Sequence, residues 1–280
     1  MNIIEKEIVA KDYLTKSNLP ASDYVINPYA GCPHGCKYCY ASFMKRFTGH
    51  SEEWGTFIDI KRCSKPINKK KLKGKTVFLA SVTDCYNPYE GKYCITQDIL
   101  KQILDVECTV SISTKSSLIL RDVELLKQFK NLSVAMSINT MDENFKSDMD
   151  NASSIEARMN ALKVLHENGI HTVLFMSPIF PAITNYKEII EKSRLFVDEY
   201  WFENLNLRGE YKARILKYIN EKYSQHIDLY KQIYVDGNKD YWDELETEIE
   251  AYCTEHSIIH TNFFYHEKLV AQKKETRRYS

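Results

Sequence analysis

No stretch of the 280 residues approaches the ~20 consecutive apolar positions that a membrane-spanning helix needs. The first ten residues alternate charged and apolar side chains and hold no apolar run of the kind a secretory signal carries. Neither sign of charge is in excess, with 38 basic side chains against 38 acidic ones. A protein that grips a nucleic-acid backbone usually carries a basic surplus, so bulk charge makes no case for such a partner. No Pro/Gly/Ser linker divides the chain, and no repeat stands out beyond an alternation of strands and helices. The eight cysteines show no disulfide frame. The chain reads as cytoplasmic and membrane-free, and there such cysteines point to metal or to reduced thiols.

What is present is ordinary globular composition, 44% hydrophobic and 27% charged, enough for one sizeable core. Within it one stretch stands out: Gly31-Cys32-Pro33-His34-Gly35-Cys36-Lys37-Tyr38-Cys39-Tyr40. Cys32, Cys36 and Cys39 form a C-x3-C-x2-C pattern. Two metal chemistries suit it. A cubane iron–sulfur cluster normally takes four thiolates, so three leave one iron open for chemistry. Zinc would need a fourth donor, either His34 within the loop or a distant residue.

Periodicity predicts an α/β fold. Residues 24–27 form a short β-prone run that feeds the cysteine loop, and residues 41–47 read as a short helix. Residues 56–61 alternate and suggest an extra hairpin or edge strand. From residue 76 strands and helices alternate: strands at 76–82, 108–113, 132–138, 172–176 and 200–207, helices at 96–106, 122–129, 155–167 and 185–196. Continuous apolar strands alternating with helices imply a parallel sheet. The count is six strand–helix units, where a closed barrel needs eight, so the expectation is a partial (β/α)6 TIM-type barrel. Residues 1–23 read as an N-terminal arm, 24–208 as the barrel, 209–272 as a C-terminal helical extension capping the same domain, and 273–280 as a polar tail. A last strand is expected within residues 258–264.

The cysteine triplet resembles the signature of the radical S-adenosylmethionine (SAM) superfamily. Ser81-Val82-Thr83-Asp84-Cys85-Tyr86-Asn87-Pro88-Tyr89-Glu90, Thr114-Lys115-Ser116 with Arg121-Asp122, and Ser137-Ile138-Asn139-Thr140 resemble, in order and spacing, its spore photoproduct lyase-like branch, also labelled DNA-repair-photolyase-like. Residues 201–208, with Tyr241-Trp242 and residues 264–267, resemble the group called radical SAM mobile pair protein B. The resemblance implies a [4Fe-4S] cluster on Cys32, Cys36 and Cys39, with SAM chelating the fourth iron and cleaved reductively to methionine and a 5′-deoxyadenosyl radical. It puts Tyr38 beside the SAM adenine, Lys115 near the SAM carboxylate and the Ser137 hydroxyl on SAM. It also implies an electron donor such as flavodoxin or ferredoxin, and a second radical SAM protein as partner.

Other residues carry two readings each. Arg158 is a second cation for SAM, or pairs with an acid on its own helix. Asp84 binds ribose or substrate, or caps the next helix. Tyr40 relays a hydrogen atom, or packs against the cluster. In spore photoproduct lyase a cysteine at the end of the second strand donates hydrogen. Ser81 stands at that position here, and a serine O–H is too strong a bond to replace it. Cys85 is near but displaced. Asn204, Asn206 and Arg208 are substrate-side candidates, because a buried strand rarely carries such residues unless its end faces a site. Residues 61–75 hold eight basic side chains and no acid, which reads as a phosphate-binding edge or a solvated loop. Cys63, Cys85 and Cys94 would be an auxiliary cluster, and Cys253, His256, His260 and His266 a zinc site, but buried Cys and satisfied His are commoner.

The expected function is therefore a radical SAM enzyme, lyase-like or C–H modifying, on a nucleic-acid base or a peptide. The alternatives are an iron–sulfur electron-transfer or sensing protein that never cleaves SAM, and a zinc-dependent nucleic-acid-binding module.

Overall fold

The computed structural model describes residues 3–19 and 21–264. Its frame is an eight-stranded sheet. The strands are β2 (Leu14–Lys16), β3 (Tyr24–Ile26), β6 (Thr76–Leu79), β7 (Thr109–Thr114), β8 (Leu132–Ser137), β9 (His171–Ile179), β10 (Glu199–Asn204) and β11 (His260–Asn262). Their spatial order is β11-β10-β9-β8-β7-β6-β3-β2, so the sheet is open. All neighbours run parallel except β2 with β3. The six units from β3 to β10 are the expected partial barrel, and β11 adds the last strand.

The two faces of the sheet differ as strand geometry requires, since alternate residues point to opposite sides. Val77, Leu79, Val110, Ile112, Val134, Met136, Leu174, Met176 and Phe202 are all fully buried on the outer face. There they meet helices such as α5 (Ile155–Glu167), which packs on β8 and β9. Burying a side chain of that size contributes about 1.5–3 kcal/mol. The inner face is more polar, with Ser111, Ser113, Ser133 and Ser137 on it. Ser137, Phe175, Trp201 and Thr261 lie in register across four strands there.

In the first third of the chain one expectation is extended and one is corrected. The N-terminal arm contributes two strands, β1 (Ile4–Ala10) and β2. Residues 57–63 are not an edge. They form β5 (Phe57–Cys63), the middle strand of a second sheet between β1 and β4 (Tyr29–Ala30). Phe57, Ile58, Asp59 and Ile60 are all buried. The alternation seen in sequence therefore does not mark a solvent face. β9 also runs past Pro178 to Ile179, beyond the expected end at residue 176.

The helices of the barrel are α1 (Glu90–Tyr93), α2 (Ile95–Ile103), α3 (Val123–Leu126), α4 (Glu143–Met149), α5 and α6 (Tyr186–Ser193). A 3-10 helix over Tyr40–Phe47 follows the cysteine loop. α4 had not been expected; Asp142 caps it by accepting from the amides of Asn144 and Phe145. The C-terminal part supplies α7 (Gly209–Lys222), α8 (Ile227–Tyr234) and α9 (Asp240–Glu255). α7 reaches the cysteine loop, where Lys37 Nζ lies 5.4 Å over the Tyr218 ring. The tail beyond residue 264, with residues 265–267 and His266, lies outside the described residues. No helix among the described residues is long and apolar enough to cross a membrane.

Candidate functional site

The cysteine loop leaves the carboxyl end of β3 and is held by backbone on two sides. The amide of Lys37 donates to the carbonyl of Met149 at 2.9 Å, and the amide of Asn151 to that of His34 at 2.8 Å. Below, Gly31 sits at φ +81° against β5, where a Cβ would fall 2.4 Å from the Phe57 carbonyl oxygen. Only glycine fits there. Cys32 is buried, and Cys36 and Cys39 are half-buried. Burial pushes all three thiols up, Cys36 to about 12, and Cys32 also feels Asp84 and the other two cysteines. A bound metal reverses this, because a coordinating thiol loses its proton.

Asp84 braces the loop from one side. Its carboxylate accepts from the Thr114 hydroxyl at 2.7 Å, the Lys115 amide at 2.7 Å and the Tyr86 amide at 2.9 Å. His34 Nδ1 lies 3.3 Å away. Burial disfavours the charged form, but His34 and these donors outweigh it and hold the carboxyl at about 2. Asp84 thus ties the ends of β6 and β7 to the cysteine loop. Both of its oxygens are engaged by protein.

Asp150 braces it from the other side, and sequence reasoning missed it. This buried carboxylate takes Arg158 Nη2 at 2.6 Å, the Tyr38 hydroxyl at 3.3 Å and Lys146 Nζ at 3.6 Å. Burial works against its charge, yet Arg158, then Lys115 and Lys146, hold its pKa below the ordinary range. Arg158 is 1% exposed, and its other nitrogens donate to the carbonyls of Ser153 at 2.8 Å and Ser137 at 3.1 Å. Its partner acid is in the turn before its own helix. Tyr38, set by Asp150, packs edge-on to Phe180 with centroids 5.5 Å apart.

Between the braces two polar groups stand ready. Lys115 is half-buried, its Nζ is 5.9 Å over the Tyr38 ring, and among the described residues it makes no ion pair. Its charge favours the thiolate forms of Cys36 and Cys39. The Ser137 hydroxyl, at the end of β8, has no hydrogen-bond partner among the described residues, while its carbonyl is held by Arg158.

The opposite side of the mouth is looser. Tyr40 is 55% exposed, and its hydroxyl donates to the Ser81 carbonyl. The Ser81 side chain exchanges hydrogen bonds with Asn27. Cys85 is fully buried in the apolar core, not in the mouth. Phe175, Trp201 and Phe263 form a half-buried aromatic trio with centroids 5.5–6.3 Å apart. The strand alternation that separated Glu203 from Asn204 is broken by a bulge between Phe202 and Asn204. Glu203 accepts from the Ser177 hydroxyl and carries its charge toward Tyr40, a placement sequence reasoning passed over. Asn204 is half-buried, whereas Asn206 and Arg208 are exposed and bonded to each other at 3.0 Å.

The remaining candidates are placed elsewhere. Residues 61–75 run from β5 to the amino end of β6, opposite the cysteine loop, and two of their cations pair with Glu7 and Asp105. His260 faces Glu250, and His256 Nδ1 lies 2.8 Å from the Tyr252 carbonyl. Among the described residues no group of three or more His, Cys, Asp and Glu side chains is drawn together to hold a metal ion. A four-iron cluster takes its three thiolates on three separate irons, so it asks for wider-set sulfurs than a single zinc ion does.

A model of the radical SAM superfamily matches residues 26–192. The chain belongs to that superfamily, a class of enzymes with radical chemistry whose members use a [4Fe-4S] cluster and SAM. An uncharacterized protein of Methanocaldococcus jannaschii is 38% identical, covering 80% of this chain and 85% of that protein. A radical SAM Nα-GlyT isomerase of Pseudomonas phage M6 is 24% identical over 70% of this chain, and the chain spans 39% of it. Among solved structures, a spore photoproduct lyase variant with bound AdoMet and dinucleoside spore photoproduct shares the fold. It has a TM-score of 0.58 at 14% identity, covering 78% of this chain and 66% of that one.

The residues present fit the implied cofactors. Three thiols, one buried and two half-buried, share one loop, the half-buried ammonium of Lys115 lies near two of them and among the described residues makes no ion pair, and the Ser137 hydroxyl has no hydrogen-bond partner there.

Proposed function

We propose that this protein cleaves SAM reductively and uses the resulting radical to take a hydrogen atom from an organic substrate held in the barrel mouth. The observation that carries the reading is the Lys115 cation, without an ion pair among the described residues, beside three thiols of one loop in a chain of this family. Cys32, Cys36 and Cys39 would hold the cluster, which when bound supplies the electron for SAM cleavage. Lys115 would bind the SAM carboxylate as a charge-assisted contact. Ser137 would donate to SAM, and Tyr38, kept in place by Asp150, would border it. Asp84 and Arg158 would act through position: one holds the loop, the other the carbonyl at the end of β8.

A nucleic-acid base is the substrate class we favour over a peptide. A relative in fold has been solved with a dinucleoside bound, which supports this reading. Asn204, Asn206 and Arg208 would then lie on the substrate side, together with Glu203. A hydrogen relay through Tyr40 would pass close to Glu203. A nucleic acid held at residues 61–75 would engage the protein away from the mouth. A flavodoxin or ferredoxin would supply the electron, a second radical SAM protein would act alongside, and the compartment would be the cytoplasm.

The test is anaerobic. The chain is reconstituted with iron and sulfide, iron is counted, and dithionite and SAM are added. Four irons per chain and 5′-deoxyadenosine, both lost in Cys36→Ala, are the expected result. Four irons without SAM cleavage, with or without a short oligonucleotide, would favour an electron-transfer or sensing role. Zinc in place of iron would overturn the reading.

A further inference from the structure

Among the described residues eight large hydrophobic side chains are exposed, and the three aromatic ones, Tyr40, Phe43 and Phe47, all stand on one element. It is the 3-10 helix over Tyr40–Phe47, which starts directly after the last cysteine of the loop. Phe43 is 47% exposed and Phe47 66%. Single exposed hydrophobic residues are normal on a protein surface, but these three share one short helix. None of them belongs to the core or packs against it, and Ala41 alone of the helix is buried. Core packing therefore does not account for the two phenylalanines.

The helix type arranges them. A 3-10 helix has three residues per turn, so positions three apart stack into one ridge with rungs about 6 Å apart. Tyr40, Phe43 and Arg46 form that ridge, and Phe47 adjoins its outer end. Arg46 ties the two rings together. Its Cζ lies 5.6 Å from the centre of the Phe43 ring and 4.7 Å from that of Phe47. Among the described residues Arg46 makes no hydrogen bond or ion pair besides these ring contacts. Lys45 Nζ donates to the Ser51 carbonyl at 2.8 Å. Between Asp23 and Glu52 the chain holds no acid, whereas Lys37, Lys45 and Arg46 all fall there. The inner end of the ridge is fixed at the barrel mouth, where the Tyr40 hydroxyl donates to the Ser81 carbonyl just past β6.

A row of aromatic rings bordered by cations and free of acids fits one kind of partner. Bases stack on aromatic rings, and cations follow the phosphates. We propose that the helix over Tyr40–Phe47 is a track for single-stranded nucleic acid: nucleotides flanking the target base stack on Phe43 and Phe47, with Arg46 and Lys45 against their phosphates. The inference rests on the base-modifying reading above and names the form of the substrate, a strand and not a free nucleoside. Unlike residues 61–75, at the opposite end of the barrel, this track begins where the target base would lie. The competing occupant is a protein, such as the electron carrier. A protein partner covers a broad patch, about 800 Å² a side in a standard interface, and this feature is one ridge wide.

The experiment is fluorescence anisotropy of the full-length reconstituted chain, kept anaerobic, with a short fluorescein-labelled single-stranded DNA and its RNA counterpart, over a range of salt. Iron content and thermal unfolding of each variant are expected at wild-type values, because these side chains do not pack on the core. Phe43→Leu/Phe47→Leu keeps apolar bulk and removes the stacking faces. It is expected to bind the better strand at least about tenfold more weakly. Phe47→Trp should bind as tightly as wild type or more so. Arg46→Gln should lower the slope of log affinity against log salt by about 0.7, the share of one phosphate contact on a single strand. Wild-type affinity in the leucine variant, or a wild-type salt slope in Arg46→Gln, overturns the track and leaves the base reading standing. If the leucine variant instead loses only its reduction by flavodoxin, the ridge is the carrier's dock and the track is overturned. If wild type binds neither strand, the track is overturned as well. In that case 5′-deoxyadenosine formation stimulated by a free nucleoside keeps the base reading, and its absence sinks both.

Discussion

The two sides of the barrel mouth are built differently. On the side of β3 to β8, buried acids carry the construction: Asp84 and Asp150 are 6% and 4% exposed and bound by several donors each. On the side of β9 to β11 the groups are half-exposed: Phe175, Trp201, Phe263, Glu203 and Asn204, on a strand whose register slips. The contrast separates two tasks. On the proposed reading, a cofactor that is the same in every turnover can be met by a rigid, pre-paired frame that leaves only the needed groups open, which would be Lys115 and Ser137. On the same reading a substrate must enter and leave, and the side assigned to it is the more accessible one.

Substitutions should break the two sides unequally. The largest effect is expected for Asp150→Asn, which leaves Arg158 and Lys146 as buried cations without a full counter-charge. Removing one partner of a buried pair costs about 3–5 kcal/mol. Urea unfolding of the chain without cofactor would show it, and a loss under about 1 kcal/mol would mean that Asp150 does not brace the loop.

Asp84 gives a smaller effect with a defined pH window. Its folded pKa of about 2 lies below the ordinary carboxylate value near 3.8. The stabilisation, about 2 kcal/mol by linkage, is present above the unfolded value and is lost as pH falls from about 4 through about 2. The stability gap between wild type and Asp84→Asn should therefore close over that window. A gap independent of pH would refute the assignment.

Lys115→Ala should leave folding nearly intact and weaken SAM binding about tenfold to a hundredfold, the worth of one charge-assisted hydrogen bond. Calorimetry on the reconstituted chain measures it. Across the mouth, Asn206→Ala should change stability by under about 0.5 kcal/mol and leave SAM affinity untouched, as for an exposed residue away from the cofactor side. A large change in either would erase the distinction between the two sides.

Legibility in the sequence follows the same line. The strands of the barrel were readable because each carries a run of buried apolar or β-branched residues between helical segments. The cysteine loop was readable because its ligands are local. β1 was not, because it is an exposed strand that becomes one only by pairing with β5, some fifty residues on. β5 looked like an edge because Asp59 and Lys61 break its apolar run. Asp59 is in fact buried against His50. α4 escaped because its buried face is short, with Phe145 and Met149 carrying most of it. The bulge in β10 hid the direction of Glu203, because a single slipped residue inverts every alternation argument after it.

The sequence by itself determined the family, the cysteine triplet and the order of the barrel strands. All three rest on spacing along the chain, and spacing survives without coordinates. The tertiary structure alone decided which charges are free. Asp84, Arg158 and Lys115 are equally polar as letters, yet the first two are held by protein on every side while Lys115 faces the thiols without an ion pair. That difference comes from contacts between residues up to 112 positions apart, such as Tyr38 with Asp150. It is set by burial, which removes water and makes each unmet hydrogen bond matter.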